Sequence, residues 1–248
     1  MWSRSLPAIL PIVLATLFLR PGVVMANPPS DPIPATPVSA MPDPPIPLPR
    51  PGRGGESSGS SLGAASEMPA SERRCRRALT RAGARFTEEP AVEEPKDGCR
   101  IAHPILLESL GGGVGLDPPA LLSCPMAQAT VEFLHEVVVP SAERHFGVAT
   151  VGVVQMSAYV CRTRHGSDTV SEHALGNALD WAAVLLDDGE IVEVREYGPD
   201  EAPRRDFLDE IRAAACGPFT TVLGPGTDAD HADHFHFDLA ERGVPYCR

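Results

Sequence analysis

Four of the chain's eight histidines lie in two short stretches, SEHALGNALD at residues 171–180 and HADHFHFDL at residues 231–239. Imidazole and carboxylate are zinc ligands, and catalytic zinc sites use three protein ligands with one position left for water. His173, Asp180 and one of the late histidines make such a set. Read as a strand, HFHFDL puts His234, His236 and Asp238 on one face and Phe235, Phe237 and Leu239 on the other. The second face should pack on helices. His231 stands just ahead of the strand. His173 and Asp180 are seven residues apart. A straight helix would separate their α-carbons by about 10.5 Å, a long span for a short aspartate sharing an ion. One extended strand would point them to opposite faces. The chain must turn between them, and Gly176-Asn177 suits a turn. Asp180 then begins the strand LDWAAVLL.

The surrounding elements follow from periodicity and punctuation. SERRCRRALTRAG reads as a helix capped by Ser71 and stopped by Gly83. In SCPMAQATVEFLHEVVVPSAERHFG, Ser123 before Pro125 is a start signal, and Ala127, Val131, Leu134 and Val138 follow at helical spacing. Pro140 should break or restart that helix, and Gly147 end it. VATVGVVQMSAYVC is β-rich. LDWAAVLLDDGEIVEV reads as two strands joined at Asp187-Asp188-Gly189. RDFLDEIRAAACG is a helix ending at Gly217. Helices first and antiparallel strands later predict an α+β fold: a small antiparallel sheet carrying a metal site, packed against N-terminal helices and stapled by disulfides.

The chain has 248 residues. It opens with Arg4, an apolar run from Leu6 to Leu19 and small residues at Val24 and Ala26, which predicts a signal peptide over 1–26. The run is short of the roughly 20 residues of a spanning helix, so no membrane span is expected after cleavage; an uncleaved anchor is the alternative. Residues 27–51 hold eleven prolines, and 52–66 are rich in glycine and serine. Neither stretch can bury enough apolar surface to offset ordering, so 27–70 reads as a disordered linker and 71–248 as the folded domain. Six cysteines in an exported domain suggest a disulfide framework. The expected pairs are Cys75–Cys99, Cys124–Cys161 and Cys216–Cys247. No C-x-x-C pair is present to suggest a cysteine-held metal. A net charge of −12 argues against nucleic acid as a partner.

SEHALGNALD resembles the S-x-H-x-x-G-x-A-x-D motif of zinc D-alanyl-D-alanine peptidases and the wider lysostaphin-like murein peptidases. HADHFHFDL resembles the H-x2-H-x-H segment of penicillin-insensitive murein endopeptidases. The stretch from about Cys75 to Arg248 resembles the bacterial extensin-like C-terminal family, through SAYVCR, SEHALGNALD, TVLGPGTDADHADHFHFDL and the terminal YCR. The resemblance implies His173, Asp180 and His236 as Zn2+ ligands, His234 as a catalytic or supporting histidine, and His231 as a further site histidine. The carboxypeptidase branch keeps a glutamate three residues before its last ligand. Asp233, one methylene shorter, occupies that position here, so either His234 or Asp233 is the expected base, or the water is activated poorly.

These residues predict metal-assisted amide hydrolysis in the periplasm or outside the cell, on peptide stems or cross-links of peptidoglycan. Arg162 could bind a substrate carboxylate through its fork of donors, with a surface ion pair as the alternative. Tyr159 could support an oxyanion, with core packing as the alternative. His103, His135 and His145 read as structural or solvated, and His165 as a loop residue near the site. The rival class is a non-catalytic cell-wall-binding or structural protein on the same scaffold, to which the acidic Asp228, Asp230, Asp233 and Asp238 would be suited.

Overall fold

The computed structural model describes residues 68–94 and 97–248. The expected signal peptide and residues 27–67 of the expected linker lie outside the described residues. No helix among the described residues is long and apolar enough to cross a membrane.

The fold is α+β. Helix α1 (Ala70–Arg81) comes first, then strands β1 (Arg85–Glu88), β2 (Val92–Glu94), β3 (Cys99–Ile101), β4 (Pro104–Gly111) and β5 (Val114–Ser123). Helices α2 (Cys124–Phe133) and α3 (Val139–Phe146) follow, joined by a π-helical segment over Leu134–Val138. Then come β6 (Thr150–Ser157), β7 (Ala178–Leu186), β8 (Ile191–Glu193), α4 (Ala202–Ala215), β9 (Thr221–Leu223), β10 (Phe235–Asp238) and β11 (Tyr246–Cys247). One nine-stranded sheet runs β1-β4-β5-β6-β7-β10-β9-β11, with β8 on β7; β2 and β3 form a separate pair.

The sheet differs from the small antiparallel one expected. Two of its pairings, β5–β6 and β9–β11, are parallel. The hairpin β4–β5 supplies strands ahead of α2, where the sequence pattern shows none. In β4 most side chains are buried whichever face they point to, so polar and apolar residues do not alternate. In β5, Pro118-Pro119 mask the strand signal.

Two helix ends differ in detail. Pro69, already extended, starts α1 at Ala70, so Ser71 lies inside the helix and caps nothing. Pro140 does not break the helix but restarts it, falling in the first turn of α3. It lacks an N–H and its ring crowds the carbonyl four residues back. The preceding turn loosens to π spacing instead, with Val139 N–H donating to the Leu134 carbonyl. His135, on that segment, is half-buried with Nε2 2.9 Å from the Leu110 carbonyl oxygen rather than facing solvent. Ser123 caps α2 through the Met126 N–H as expected.

Beneath β7 and β10 lies an aromatic layer. Phe133 of α2 meets Trp181, Phe219 and Phe237 with ring centroids 5.9, 5.4 and 5.6 Å away. Phe237 stacks on Phe219 at 4.7 Å. All are fully buried, each contributing on the order of 1.5–3 kcal/mol through burial.

Three disulfides staple the domain, and two differ from the expected pairs. Cys75 joins Cys124, Cys99 joins Cys161, and Cys216 joins Cys247 as expected. The unseen β4–β5 hairpin explains the difference: it carries the chain out and back, so α1 lies against α2 and Cys75 meets the first residue of α2. Cys99, on β3, is left beside the segment that follows β6.

Replacing Cys99 and Cys161 together by serine removes a bond across 62 residues and should cost about 2–4 kcal/mol, read as a lower midpoint of urea unfolding. An unchanged midpoint would show that the segment after β6 is held without it.

Candidate metal and catalytic site

Strand register brings the first two groups together. Asp180 on β7 and His236 on β10 are directly paired across the antiparallel ladder, and Trp181 pairs with Phe235. The pleat sends Asp180 and His236 to one face and the aromatic residues to the other. His236 Nδ1 lies 2.9 Å from Asp180 Oδ1.

A tight turn brings in the third. Ser171 accepts the His173 N–H, and a 3-10 turn runs Glu172–Leu175 into Gly176 at φ +65. A Cβ at Gly176 would sit 2.8 Å from the Ser123 backbone nitrogen and 2.6 Å from Ile101, so both conformation and space demand glycine. The turn expected at Gly176-Asn177 is present, and Asp180 is the third residue of β7 rather than its first. His173 Nε2 lies 3.3 Å from His236 Nδ1 and 3.3 Å from Asp180 Oδ2. Donor atoms around a tetrahedral zinc stand about 3.3–3.6 Å apart at bonds of about 2.0–2.2 Å. The three residues fit that ion in type, and His173 fits it in spacing; His236 Nδ1 and Asp180 Oδ1, at 2.9 Å, stand at a closer, hydrogen-bond distance.

His173, His234 and His231 each have one nitrogen committed, whereas both nitrogens of His236 face carboxylates. His173 Nδ1 donates to the Ala158 carbonyl at 2.6 Å, and His236 Nε2 donates to Asp238 at 3.1 Å. His234 Nδ1 is held by Asp233 at 3.0 Å and His231 Nδ1 by Asp228 at 2.6 Å. Carbonyl and carboxylate oxygens only accept, so these nitrogens carry the hydrogens. When neutral His236 carries its hydrogen on Nε2, the lone pairs of His173 Nε2 and His236 Nδ1 converge with the Asp180 carboxylate. Three acceptors at this spacing repel unless a cation sits among them.

The titration of these groups reflects that need. Burial works against the charge on His236, but hydrogen bonds to Asp180 and Asp238 push its pKa up to about 9. Burial alone would raise Asp180, yet hydrogen bonds from His173 and His236 outweigh it and hold the carboxyl well below the usual carboxylate range. Asp238 is likewise held low against its burial by His236, Thr221 and the Ala240 N–H.

Around the cluster opens a cleft of about 560 Å³, lined by His173, Asp180, His231, His234, His236 and Arg162 among others. His234 Nε2 stands 3.9 Å from Asp180 Oδ1. Two expected site residues do not line it. Tyr159 donates its hydroxyl to Glu94 at 3.0 Å and is half-buried rather than packed in the core. Asp233 is exposed and reaches His234 rather than the cluster.

The family model described as the extensin-like protein C-terminus matches residues 73–248. The chain belongs to the extensin-like C-terminal family. No curated protein and no solved structure matches it. The three disulfides of this extensin-like domain are consistent with an extracellular or periplasmic location.

Two residues of the extensin-like site are underrated by sequence reasoning. Asp238 and Asp228 read there as acidic surroundings, yet each orients a histidine. For Asp238 the signal was H-x-D on one strand face. For Asp228 it was the spacing of an N-cap: its side chain accepts the Asp230 and His231 N–H groups and closes the 3-10 turn Ala229–His231. His165 lines the cleft, exposed and 2.9 Å from Asp230.

Gly176→Ala should destabilise the fold by at least about 1–3 kcal/mol, measured by urea unfolding, with a parallel loss of metal affinity. The metal-free protein should also show a characteristic pH profile. Protonated His236, its pKa raised from 6.5, stabilises fully below about 6.5, and that stability is lost as pH climbs through about 9. Asp180 and Asp238, lowered from 3.8, stabilise above that value and cease to as pH falls below it. Thermal melts in chelator should therefore peak between pH 3.8 and 6.5 and decline toward 9; a flat profile across that alkaline range would contradict the assigned hydrogen bonds.

Proposed function

We propose that this extensin-like domain is an exported zinc-dependent hydrolase that cuts a peptide bond of bacterial peptidoglycan, in a stem or a cross-link. The observation that carries the reading is the convergence of His173 Nε2, His236 Nδ1 and the Asp180 carboxylate at 2.9–3.3 Å, each imidazole fixed from behind by an acceptor. The likeness of both motifs to zinc murein peptidases supports it.

Zinc held by these residues would supply Lewis acidity, polarising an amide carbonyl and acidifying water. The protein's own groups do the rest. Since Asp233 is drawn to His234, the base is an imidazole. His234 Nε2, the free nitrogen nearest the cluster, takes a proton from the attacking water and returns it to the leaving amine. Asp233 keeps the proton on Nδ1 and so keeps Nε2 basic. His231, held the same way by Asp228 with its ring 5.3 Å from that of His234, is the second proton-carrying group. Arg162, exposed on the segment after β6, orients a substrate carboxylate.

One observation favours a second reading. No glutamate stands where the carboxypeptidase branch keeps its base, and the aspartate there is exposed. A wall-binding protein that keeps a metal for stability would look the same at this position.

Metal analysis of the secreted chain should find about one zinc per chain, and digestion of sacculi should release muropeptides that chelation abolishes. His173→Ala should lose both metal and turnover. His234→Gln should keep the zinc and lower turnover by about 10²–10⁴. Metal and activity surviving His173→Ala would overturn the proposal, and sacculi bound but uncut would favour the second reading.

A further inference from the structure

The cleft's charges are almost all committed to one another. Asp180, Asp228, Asp230 and Asp238 each hold a histidine. Arg164 pairs with Glu172 at 3.1 Å. Two lining cations are different: among the described residues, neither Arg162 nor Arg242 has a carboxylate within ion-pair distance.

They stand on opposite sides of the cluster. In the strand order β6-β7-β10-β9-β11, Asp180 and His236 occupy the middle pair. Arg162 follows β6 on one flank. Arg242 lies on the other, where its Nε donates to Thr221 Oγ1 of β9 at 3.0 Å. Thr221 pairs with Asp238, the acceptor behind His236. This bond fixes the guanidinium plane and leaves its two terminal nitrogens, with their fork of N–H donors, for a ligand.

The ground beneath Arg242 is stiff. Residues 240–248 form a strap locked by Cys216–Cys247 and by the β9–β11 pairing. The ring of Tyr246 on this strap lines the cleft and lies under Arg242 and Arg248, at 5.8 and 5.0 Å. Arg242 is exposed, so its guanidinium is hydrated and open to a ligand entering the cleft.

We propose that Arg242 and Tyr246 form an anion subsite at the strap end of the cleft, opposite Arg162, so that the ligand lying across the donor cluster carries a carboxylate on each side. This rests on the hydrolase reading for what lies between the two carboxylates, a peptide amide. A carboxylate fits better than a phosphate, since the four lining aspartates penalise a second negative charge and the planar fork matches two coplanar oxygens.

The test uses the zinc-loaded full chain with nitrogen-15-labelled arginine. Titration with glutarate should shift the Arg242 and Arg162 side-chain signals saturably, and inorganic phosphate should shift them less. Arg242→Gln should abolish the binding, and Arg242→Lys should retain part of it, with zinc content equal in all three proteins. On muropeptides, Arg242→Gln should raise KM about tenfold or more, leave kcat alone, and lose that effect when the carboxyls are amidated. Glutarate leaving Arg242 unmoved, or Arg242→Gln turning over free and amidated muropeptides like the parent, overturns the subsite. Phosphate displacing glutarate at lower concentration overturns the choice of carboxylate. Glutarate binding lost in Arg242→Gln while no muropeptide is ever cut leaves the subsite standing and removes the hydrolase reading.

Discussion

The site depends on one cross-strand pair, Asp180 facing His236 between β7 and β10. Side chains alternate along a strand, so a slip of one residue would exchange the two faces. It would drive Asp180 and His236 into the aromatic layer and bring Trp181 and Phe237 out to the cleft. The burial of Trp181, Phe235 and Phe237 is therefore what holds a carboxylate and an imidazole in register above them. Hydrophobic packing on one face sets the geometry of the polar face, and the same closeness to the core desolvates the charges there.

Desolvation makes the arrangement demanding. Two imidazoles and a carboxylate are held together away from bulk water, an arrangement that a positive charge, a proton or a metal ion, would relieve. Ala158, Asp233 and Asp228 fix the tautomers of three histidines from behind, and Asp238 orients the ring of the fourth, His236. Acceptors of this kind orient a ligand ring and raise its basicity. Any cation bound here would therefore owe its place to the second layer of groups as much as to the three residues that meet, and little reorganisation would accompany it.

How much of this could be read from the sequence follows the range of the interactions. H-x-H with alternating phenylalanines was legible because strand periodicity is local. The bend at Gly176-Asn177 was legible because seven residues between His173 and Asp180 fit neither a helix nor a strand. The β4–β5 hairpin was not, because a strand buried on both faces loses alternation and Pro118-Pro119 obscures what is left. Two of the three cysteine pairs were illegible for the same reason, since pairing depends on which segments the hairpin brings together. Asp233 matched a motif position by number, but its side chain is drawn to the adjacent His234 Nδ1, and sequence position carries no information about that choice. Arg242 has no motif; it becomes visible only once β9 is placed beside β10.

The segments bearing the functional groups have little backbone ladder of their own, and the covalent staples fall where they compensate. Cys161 begins the segment that carries Arg162 and leads to His173, and its bond to Cys99 ties that segment to β3. Cys247 closes the strap that carries Arg242 and Tyr246. Cys75–Cys124 acts one step removed. It fixes the start of α2, where Ser123 N–H donates to the Gly176 carbonyl at 2.9 Å and its hydroxyl to Asn177 at 2.8 Å, holding the His173 turn. The loop that brings His231 has no disulfide and relies on the Asp228 cap instead. Ordering such segments costs about 1–2 kcal/mol of backbone entropy per residue, and crosslinks lower that cost by restricting the unfolded chain. The chain segments that carry His173, Arg162 and Arg242 are thus each tied, directly or one step removed, by a disulfide as well as by their own hydrogen bonds.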